Sequence, residues 1–243
     1  MMSVSSTKII DRPQESTGIR WVPKDGVPPL NAGDHLSRAE FERRYEAHPE
    51  IKKAELIEGV VYMPTPVRHI PHGRPHARVM AWLGHYWAAT PGVDLSDNAT
   101  LRLDLDNEPQ PDALLRLLES QGGKSRIAED EYLEGAPELV VEIAASSAAY
   151  DLHVKKRVYA RNGVQEYLAV QMYEQRIDWF VLKESVYQPL APDDDGVLRS
   201  RVFPGLWLHV GAFWAGDLAK MLAELQAGME SSEHEAFVAS LQG

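Results

Sequence analysis

The sequence predicts an α/β (α+β) protein in which a mixed central sheet is flanked by helices and extended by β-hairpins. Three observations predict this fold class. Residues 138–145 are apolar on both faces apart from Glu142, which is typical of a central strand. Residues 72–89 repeat apolar side chains at helical spacing. Two strand-like runs, 165–171 and 176–183, are joined by a tight turn.

The chain before the first regular element is expected to be irregular. Residues 1–34 are rich in proline, glycine and serine and show no sustained periodicity. A short helix should follow, because Ser37 and Glu40 have the spacing of a capping box and Phe41 starts an apolar pair four residues apart. Residues 55–63 then predict a strand or the first half of a hairpin.

The middle of the chain predicts a long helix and two strands. The helix over residues 72–89 ends before Pro91-Gly92. Its apolar side consists of Val79, Leu83, Tyr86 and Trp87. Residues 100–106 alternate between apolar and polar side chains, which predicts a strand. One face of that strand would carry Leu101, Leu103 and Leu105. A turn then leads into a short strand that begins at Asp112.

The last part of the chain predicts another helix, further strands and a helical end. Ser146 and Ser147 are suited to cap a helix that ends at Asn162, with Gly163 as its C-cap. After the two strands already mentioned, two more are expected at 196–202 and 206–210. We therefore expect three parts: an irregular N-terminal arm (1–34), one domain (35–215) and a C-terminal helical tail (216–243).

Composition limits the classes of function. The absence of cysteine excludes disulfides, thiolate zinc sites and a cysteine nucleophile. The formal net charge of −11 argues against a protein that coats polyanions generally, although the locally basic segments 68–78 and 153–161 could still hold phosphate. No signal peptide and no apolar run of the ~18 residues that span a bilayer is visible, so we expect a cytoplasmic protein without a membrane partner.

The residues that point to chemistry surround Glu142. A lone carboxylate in an apolar strand costs several kcal/mol, or takes up a proton, unless a cation or hydrogen bonds meet it. The next helix offers a cation, since Asp151, Lys155 and Tyr159 recur every four residues and share one face. Asp112 begins a strand that could pair antiparallel with the Glu142 strand. Two adjacent carboxylates make a hard-oxygen site suited to Mg²⁺ or Mn²⁺.

Other interpretations of these residues stay open. Asp112 can be an acid at the exit of a turn, and Glu142 can pair with an arginine across the sheet. His76 can orient a phosphate or shuttle a proton, or it can be a helix histidine with ordinary hydrogen bonds. Glu55 is a candidate third acid. Lys156 lies about 140° around the helix from Asp151, against ~40° for Lys155, and is expected to be a solvated charge.

The chain resembles the Uma-type "putative restriction endonuclease" family of the PD-(D/E)XK nuclease superfamily. The pieces that carry the resemblance are ELIEG (55–59), PHARVM (75–80), QPDALL (110–115), EGAPELVVEIAASS (134–147), D-x3-K-x3-YARNGVQEYL (151–168) and RSRVFPGLWL (199–208). They span residues 54–208 in the order of the family. The resemblance implies a restriction-endonuclease-like fold, a nucleic-acid substrate and a homodimer, which the edge strands after residue 165 also favour.

The resemblance implies roles residue by residue. Asp112 fills the PD position and Glu142 the (D/E) position, where both would bind the metal ion. The superfamily's lysine normally follows two residues later, where this chain has Ala144. Lys155 matches a lysine that the following helix supplies. The family's usual SPS reads Ala145-Ser146-Ser147 here, without the proline.

These observations predict a Mg²⁺- or Mn²⁺-dependent phosphodiester hydrolase, an endonuclease that acts on DNA rather than RNA. The catalytic residues would be Asp112, Glu142 and Lys155, with Glu55, His76, Asp151 and Tyr159 as supporting candidates. The alternative is a catalytically silent protein that keeps the fold as a binding or dimerisation module. Repulsion between two unliganded carboxylates also predicts that Asp112→Asn and Glu142→Gln each leave thermal stability level or raise it in the absence of metal.

Overall fold

The computed structural model describes residues 26–64, 68–145 and 151–242, without the side chains of residues 151 and 152. The helices are α1 (Arg38–Ala47), α2 (Arg74–Ala89), α3 (Lys156–Asn162), α4 (Val210–Ala215), α5 (Leu218–Met229) and α6 (Ser232–Leu241). A π-helical turn precedes α2 (His69–Gly73) and another precedes α3 (Asp151–Lys155), and Glu119–Gln121 forms a 3₁₀ turn.

The strands are β1 (Glu55–Ile57), β2 (Val60–Tyr62), β3 (Val93–Asp97), β4 (Leu101–Arg102), β5 (Ala113–Leu117), β6 (Arg126–Ile127), β7 (Leu133–Glu134), β8 (Leu139–Ala144), β9 (Glu166–Gln171), β10 (Arg176–Lys183), β11 (Val186–Leu190), β12 (Val197–Arg199) and β13 (Trp207–His209). Six of them form the central sheet, in the order β11-β10-β9-β8-β5-β3. Only the β8–β9 pair of this sheet is parallel, and the others are antiparallel. The mixed central sheet predicted from the sequence is confirmed.

The sheet has a hydrophobic core on each face. Every residue of β8 and of β9 is buried, as expected of central strands whose two faces are both covered. On one face α2 packs its apolar side into the larger core, where Trp82 meets Trp179 edge-to-face at 5.8 Å between ring centroids. On the other face Tyr159 of α3 packs with Leu114 and Val140 in a second core cluster. Residues that alternate along β5 and β8 therefore face different cores.

The predicted strand at 100–106 is wrong in its extent. Only Leu101–Arg102 is a strand, and it belongs to a separate three-stranded sheet with β7 and β6. The side chain of Asp104 accepts a hydrogen bond from the amide of Asn107 at 2.6 Å, which closes a turn where the alternation predicted extended chain. Leu105, expected to share a strand face with Leu101, is 74% exposed at this turn, whereas Leu101 is buried.

Two strands at the edges of the sheet were not predicted. The strand β3 carries aspartates and a serine in the sequence VDLSD, and β11 contains Pro189. Both compositions weaken the strand signal, and both are tolerated at a sheet edge, where fewer ladder hydrogen bonds form.

The helix predicted over 72–89 has two parts. The regular α-helix begins at Arg74, and the π-helical turn His69–Gly73 leads into it. At the next helix Gly163 adopts a left-handed conformation, with φ of 84°, and closes α3 as predicted. The proposed caps Ser146 and Ser147 lie outside the described residues.

The C-terminal helices pack on the main core. Met221 and Leu225 of α5 and Leu241 of α6 are buried in the same cluster as α2. His234 of α6 holds α6 to the body, since its Nε2 lies 3.0 Å from the hydroxyl of Thr90. The division into arm, domain and tail stays a prediction. Among the described residues, no helix combines the length and the apolar character needed to cross a membrane.

Candidate active site

Asp112 and Glu142 lie on the same face of the sheet, at the ends of two neighbouring strands. The strands β5 and β8 pair antiparallel with Ala113 opposite Val141. Asp112 comes two residues before Leu114, and Glu142 comes two residues after Val140. Leu114 and Val140 belong to the same core cluster, so strand alternation turns both carboxylates toward that face. Both acids are buried, each with 4% of its surface exposed.

Glu142 is held by two residues from the helix that follows its strand. Its Oε1 accepts hydrogen bonds from the ammonium of Lys155 at 2.9 Å and from the hydroxyl of Tyr159 at 2.7 Å. Lys155 ends the π-helical turn, and Tyr159 lies one helical turn later on the same side. Burial, followed by the charge of Glu142, raises the pKa of Tyr159 well above its usual value. The phenol therefore stays protonated and acts as a donor.

Glu55 is the third carboxylate of the group. Its Oε1 accepts a hydrogen bond from Lys155 Nζ at 2.8 Å and one from the main-chain N–H of Gln110 at 2.7 Å. Both Glu55 and Lys155 are about 95% buried, with 5% and 4% of their surfaces exposed. The ammonium thus bridges the β1–β2 hairpin and the central strand β8. Glu55, a candidate supporting acid in the sequence, lies in direct contact with the predicted lysine.

Asp112 is held by a different set of donors. Its Oδ2 accepts the main-chain N–H of Ile143 at 2.7 Å, and its Oδ1 lies 3.1 Å from Nε2 of His72. Burial acts to raise the pKa of Asp112. The hydrogen bond and charge of His72 and the N–H of Ile143 outweigh it and hold that pKa below its usual value. The carboxylate is therefore ionised at neutral pH.

The sequence analysis singled out His76 and placed His72 only within a basic stretch. In the structure His76 Nε2 lies 3.0 Å from the main-chain oxygen of Asp112 and 3.0 Å from Oδ1 of Asp97. His76 therefore holds the start of β5 against β3, and His72 is the histidine at the carboxylate. The four-residue spacing between the two histidines was the available signal. The side chain of Asp151 lies outside the described residues.

Lys156 is not the solvated charge that the sequence predicted. Its ammonium lies 3.3 Å from the centre of the Phe180 ring, in a cation–π contact. Burial lowers the pKa of Lys156. The helical spacing did separate the two lysines correctly, because Lys155 contacts Glu142 and Lys156 packs on an aromatic side chain of β10.

Buried acids elsewhere in the fold show what sets this group apart. Glu166, at the start of β9, accepts hydrogen bonds from the hydroxyl of Ser200 at 2.7 Å and the N–H of Arg201 at 2.6 Å. Glu138 accepts the N–H of Leu117 at 2.7 Å. These two acids anchor loops. The two acids at Lys155 instead come from separate strands, β1 and β8, and share one ammonium.

The donor set suits a hard divalent cation. Carboxylate oxygens are the ligands that Mg²⁺ and Mn²⁺ prefer, and Mg²⁺ is commonly held by one or two carboxylates completed by water and substrate phosphate. Asp112 and Glu142 supply two such carboxylates on one face. Within residues 26–64, 68–145 and 151–242, no group of three or more His, Asp or Glu side chains is arranged to coordinate a metal ion.

The chain matches a known protein family in sequence and a solved protein structure in fold. The Uma2 family model, described as "Putative restriction endonuclease", matches residues 38–211. The structure is similar to the crystal structure of "a putative nuclease belonging to DUF820 from Anabaena variabilis ATCC 29413", with a TM-score of 0.56 and 14% sequence identity over 74% of this chain and 98% of that one. At this identity the likeness shows the fold, and it confirms the restriction-endonuclease-like class predicted from the sequence. No curated protein matches the chain.

The donors around Asp112 lead to a stability prediction that differs from the one made on the sequence. We predict that Asp112→Asn lowers the free energy of unfolding of the metal-free protein at pH 7 by about 1–3 kcal/mol, because hydrogen bonds to a charged carboxylate are lost or weakened. Urea denaturation in a chelator measures the change. Asp194→Asn, on the exposed turn before β12, is the matched control and should change little. An Asp112→Asn protein as stable as wild type would mean that repulsion from Glu142 dominates instead.

Proposed function

The chain belongs to the Uma2 family, described as "Putative restriction endonuclease", and from this premise we propose that it is a metal-dependent phosphodiester hydrolase. Its substrate would be nucleic acid, with DNA preferred over RNA, and its cofactor Mg²⁺ or Mn²⁺. One observation carries the proposal. Two ionisable carboxylates, Asp112 and Glu142, share a face beside a buried ammonium, Lys155, which lies 2.9 Å from Glu142.

Asp112 and Glu142 would hold the cation. When bound, it would neutralise charge on a phosphoryl oxygen and lower the pKa of a bound water. The protein prepares both ligands in advance. Ile143 and His72 fix the orientation of Asp112, and Tyr159 fixes that of Glu142. Such preorganisation means that the carboxylates need little rearrangement when the reaction begins.

Lys155 would contribute its positive charge at the site of reaction. Hydrolysis forms a bond from a water oxygen to phosphorus and breaks the bond to the leaving oxygen, so negative charge grows on the oxygens around phosphorus. A buried ammonium stabilises such charge more strongly than an exposed one, because water does not screen it. Glu55 keeps this ammonium in place through its 2.8 Å contact. Glu55 is therefore a positioning residue in this proposal.

A catalytically silent binding or dimerisation module is the second candidate. One observation favours it: the Lys155 ammonium already contacts both Glu55 and Glu142, and it compensates their charge without a metal ion. The formal net charge of −11 also disfavours tight contact with a polyanion. In this case the same residues would hold the β1–β2 hairpin against β8 and do nothing else.

We also propose that the protein is cytoplasmic and forms a homodimer. The sheet ends in β11 at one edge and β3 at the other, and open edges of this kind favour association. Most soluble homo-oligomers are two-fold dimers. Multi-angle light scattering at micromolar concentration should give twice the chain mass of 27.2 kDa. A mass of one chain would contradict the dimer.

If the protein is a metal-dependent hydrolase, substitutions at the site should change the cleavage rate and the Mn²⁺ affinity in different ways. Asp112→Asn and Glu142→Gln should each lower cleavage of plasmid DNA in Mn²⁺ by at least about a hundredfold, because each removes a ligand charge. Lys155→Ala should lower the rate by a similar factor, while Mn²⁺ affinity changes little, because lysine is not a ligand. Circular dichroism verifies that each variant is folded. Single-stranded DNA and RNA substrates test the preference for DNA.

Lys156→Ala is the matched control for Lys155→Ala. It removes a lysine from the neighbouring position of the helix, and the lost contact is with Phe180 instead of the carboxylates. Cleavage by this variant should stay within about threefold of wild type, as expected for a residue outside the site. Wild-type protein that cleaves no nucleic acid in Mg²⁺ or Mn²⁺, with Asp112 and Glu142 variants that fail to fold, would support the silent module.

A further inference from the structure

One segment beside the candidate site has no role in the mechanism above. We call residues 68–74, with the sequence RHIPHGR, the basic turn. It contains the π-helical turn His69–Gly73 and enters α2 at Arg74. π-Helical turns are rare in proteins, and those that occur often lie at functional sites. Within this turn Ile70 leaves 68% of its surface exposed to solvent, so its side chain is not part of the hydrophobic core.

The basic turn borders the reacting groups directly. His72, two residues after Ile70, places its Nε2 3.1 Å from Oδ1 of Asp112. A substrate phosphate beside Asp112 therefore brings its flanking nucleotides close to this turn. The turn is also restrained, since Pro71 fixes one of its backbone dihedrals and Pro75 fixes another directly after it. A restrained turn can hold an exposed apolar side chain in one place.

The turn carries positive charge that is available for phosphate. Within the part of the chain that the structure describes, the guanidinium groups of Arg68 and Arg74 form no hydrogen bond or ion pair. Other arginines near the site are already paired: Arg157 and Arg161 lie 3.5 and 3.3 Å from the carboxylate of Glu58. Three buried carboxylates repel a phosphate backbone, so attraction must come from cations around them. Residues 68–74 contain two arginines and two histidines around Ile70 and no acid.

We propose that the basic turn is the surface that binds duplex DNA, with Ile70 as a wedge between base pairs and Arg68 and Arg74 on the flanking phosphates. The inference rests on the proposed nuclease function and names how that site engages its substrate. Isoleucine is among the apolar residues that proteins insert between base steps, which unstacks and kinks the duplex. Unstacking beside the cleavage site exposes the backbone to Asp112. A single strand offers no stacked pair to separate, so the wedge selects duplexes.

The wedge can be tested by relaxing a closed circular plasmid in the presence of the protein. This test does not require knowledge of a preferred DNA sequence. A metal-independent topoisomerase relaxes the plasmid in the presence of the full-length protein, in EDTA and separately in Ca²⁺, and the linking number is read after the protein is removed. After relaxation with wild-type protein and removal of that protein, the plasmid should be negatively supercoiled, because a wedge unwinds the duplex. The number of supercoils should increase with the amount of protein added. Ile70→Ala should abolish this shift and weaken duplex binding about tenfold, with binding of single-stranded DNA unchanged.

The controls separate a wedge from general loss of structure. Ile70→Leu keeps an apolar side chain and should restore most of the shift. Ile127→Ala is the matched control, since Ile127 is 61% exposed and follows an arginine but lies in β6. Wild type that cleaves duplex DNA without a linking-number shift, or an Ile70→Ala shift equal to wild type, overturns the wedge and leaves the hydrolase standing. Wild type that neither binds nor cleaves DNA overturns both.

Discussion

The site depends on one buried ion group, the ammonium of Lys155 between the carboxylates of Glu55 and Glu142. A buried carboxylate without a partner costs several kcal/mol, and this fold buries two of them within 3 Å of one lysine nitrogen. The three residues come from the β1–β2 hairpin, the central strand β8 and the turn before α3. The interaction therefore joins three parts of the chain that are distant in sequence. Removing the lysine alone would take the ion pair from both carboxylates, while Tyr159 still donates to Glu142 and the N–H of Gln110 to Glu55.

The two acids that we propose as metal ligands are held by different hydrogen-bond donors. Glu142 is oriented by the helix side through Lys155 and Tyr159. Asp112 is oriented by His72, in the π-helical turn before α2, and by the main-chain N–H of Ile143 in β8. Each carboxylate thus has its own donors, and neither depends on the other for its position. Under the proposed function, these two independently held carboxylates would bind the cation with their orientations already set by their donors.

Much of this arrangement could be predicted from local sequence patterns. Glu142 is recognisable because it interrupts an apolar strand, and the four-residue spacing of Lys155 and Tyr159 places both on one helix face. Contacts across long separations left weaker signals. His72 meets Asp112 across 40 residues, and its four-residue spacing from His76 was the one local signal of that pairing. Leu105 was misplaced because a side-chain turn interrupts its alternation, and Lys156 because its partner Phe180 lies on a later strand.

The central claim is that Asp112 and Glu142 bind one divalent cation, and Mn²⁺ titration followed by electron paramagnetic resonance tests it most directly. Free Mn²⁺ is measured as it is added to wild type, Asp112→Asn and Glu142→Gln, each verified as folded. The account predicts one site per chain in wild type and loss of that site in both variants, with Lys155→Ala still binding. Wild type that binds no Mn²⁺, or an Asp112→Asn protein that binds it equally well, would contradict the account.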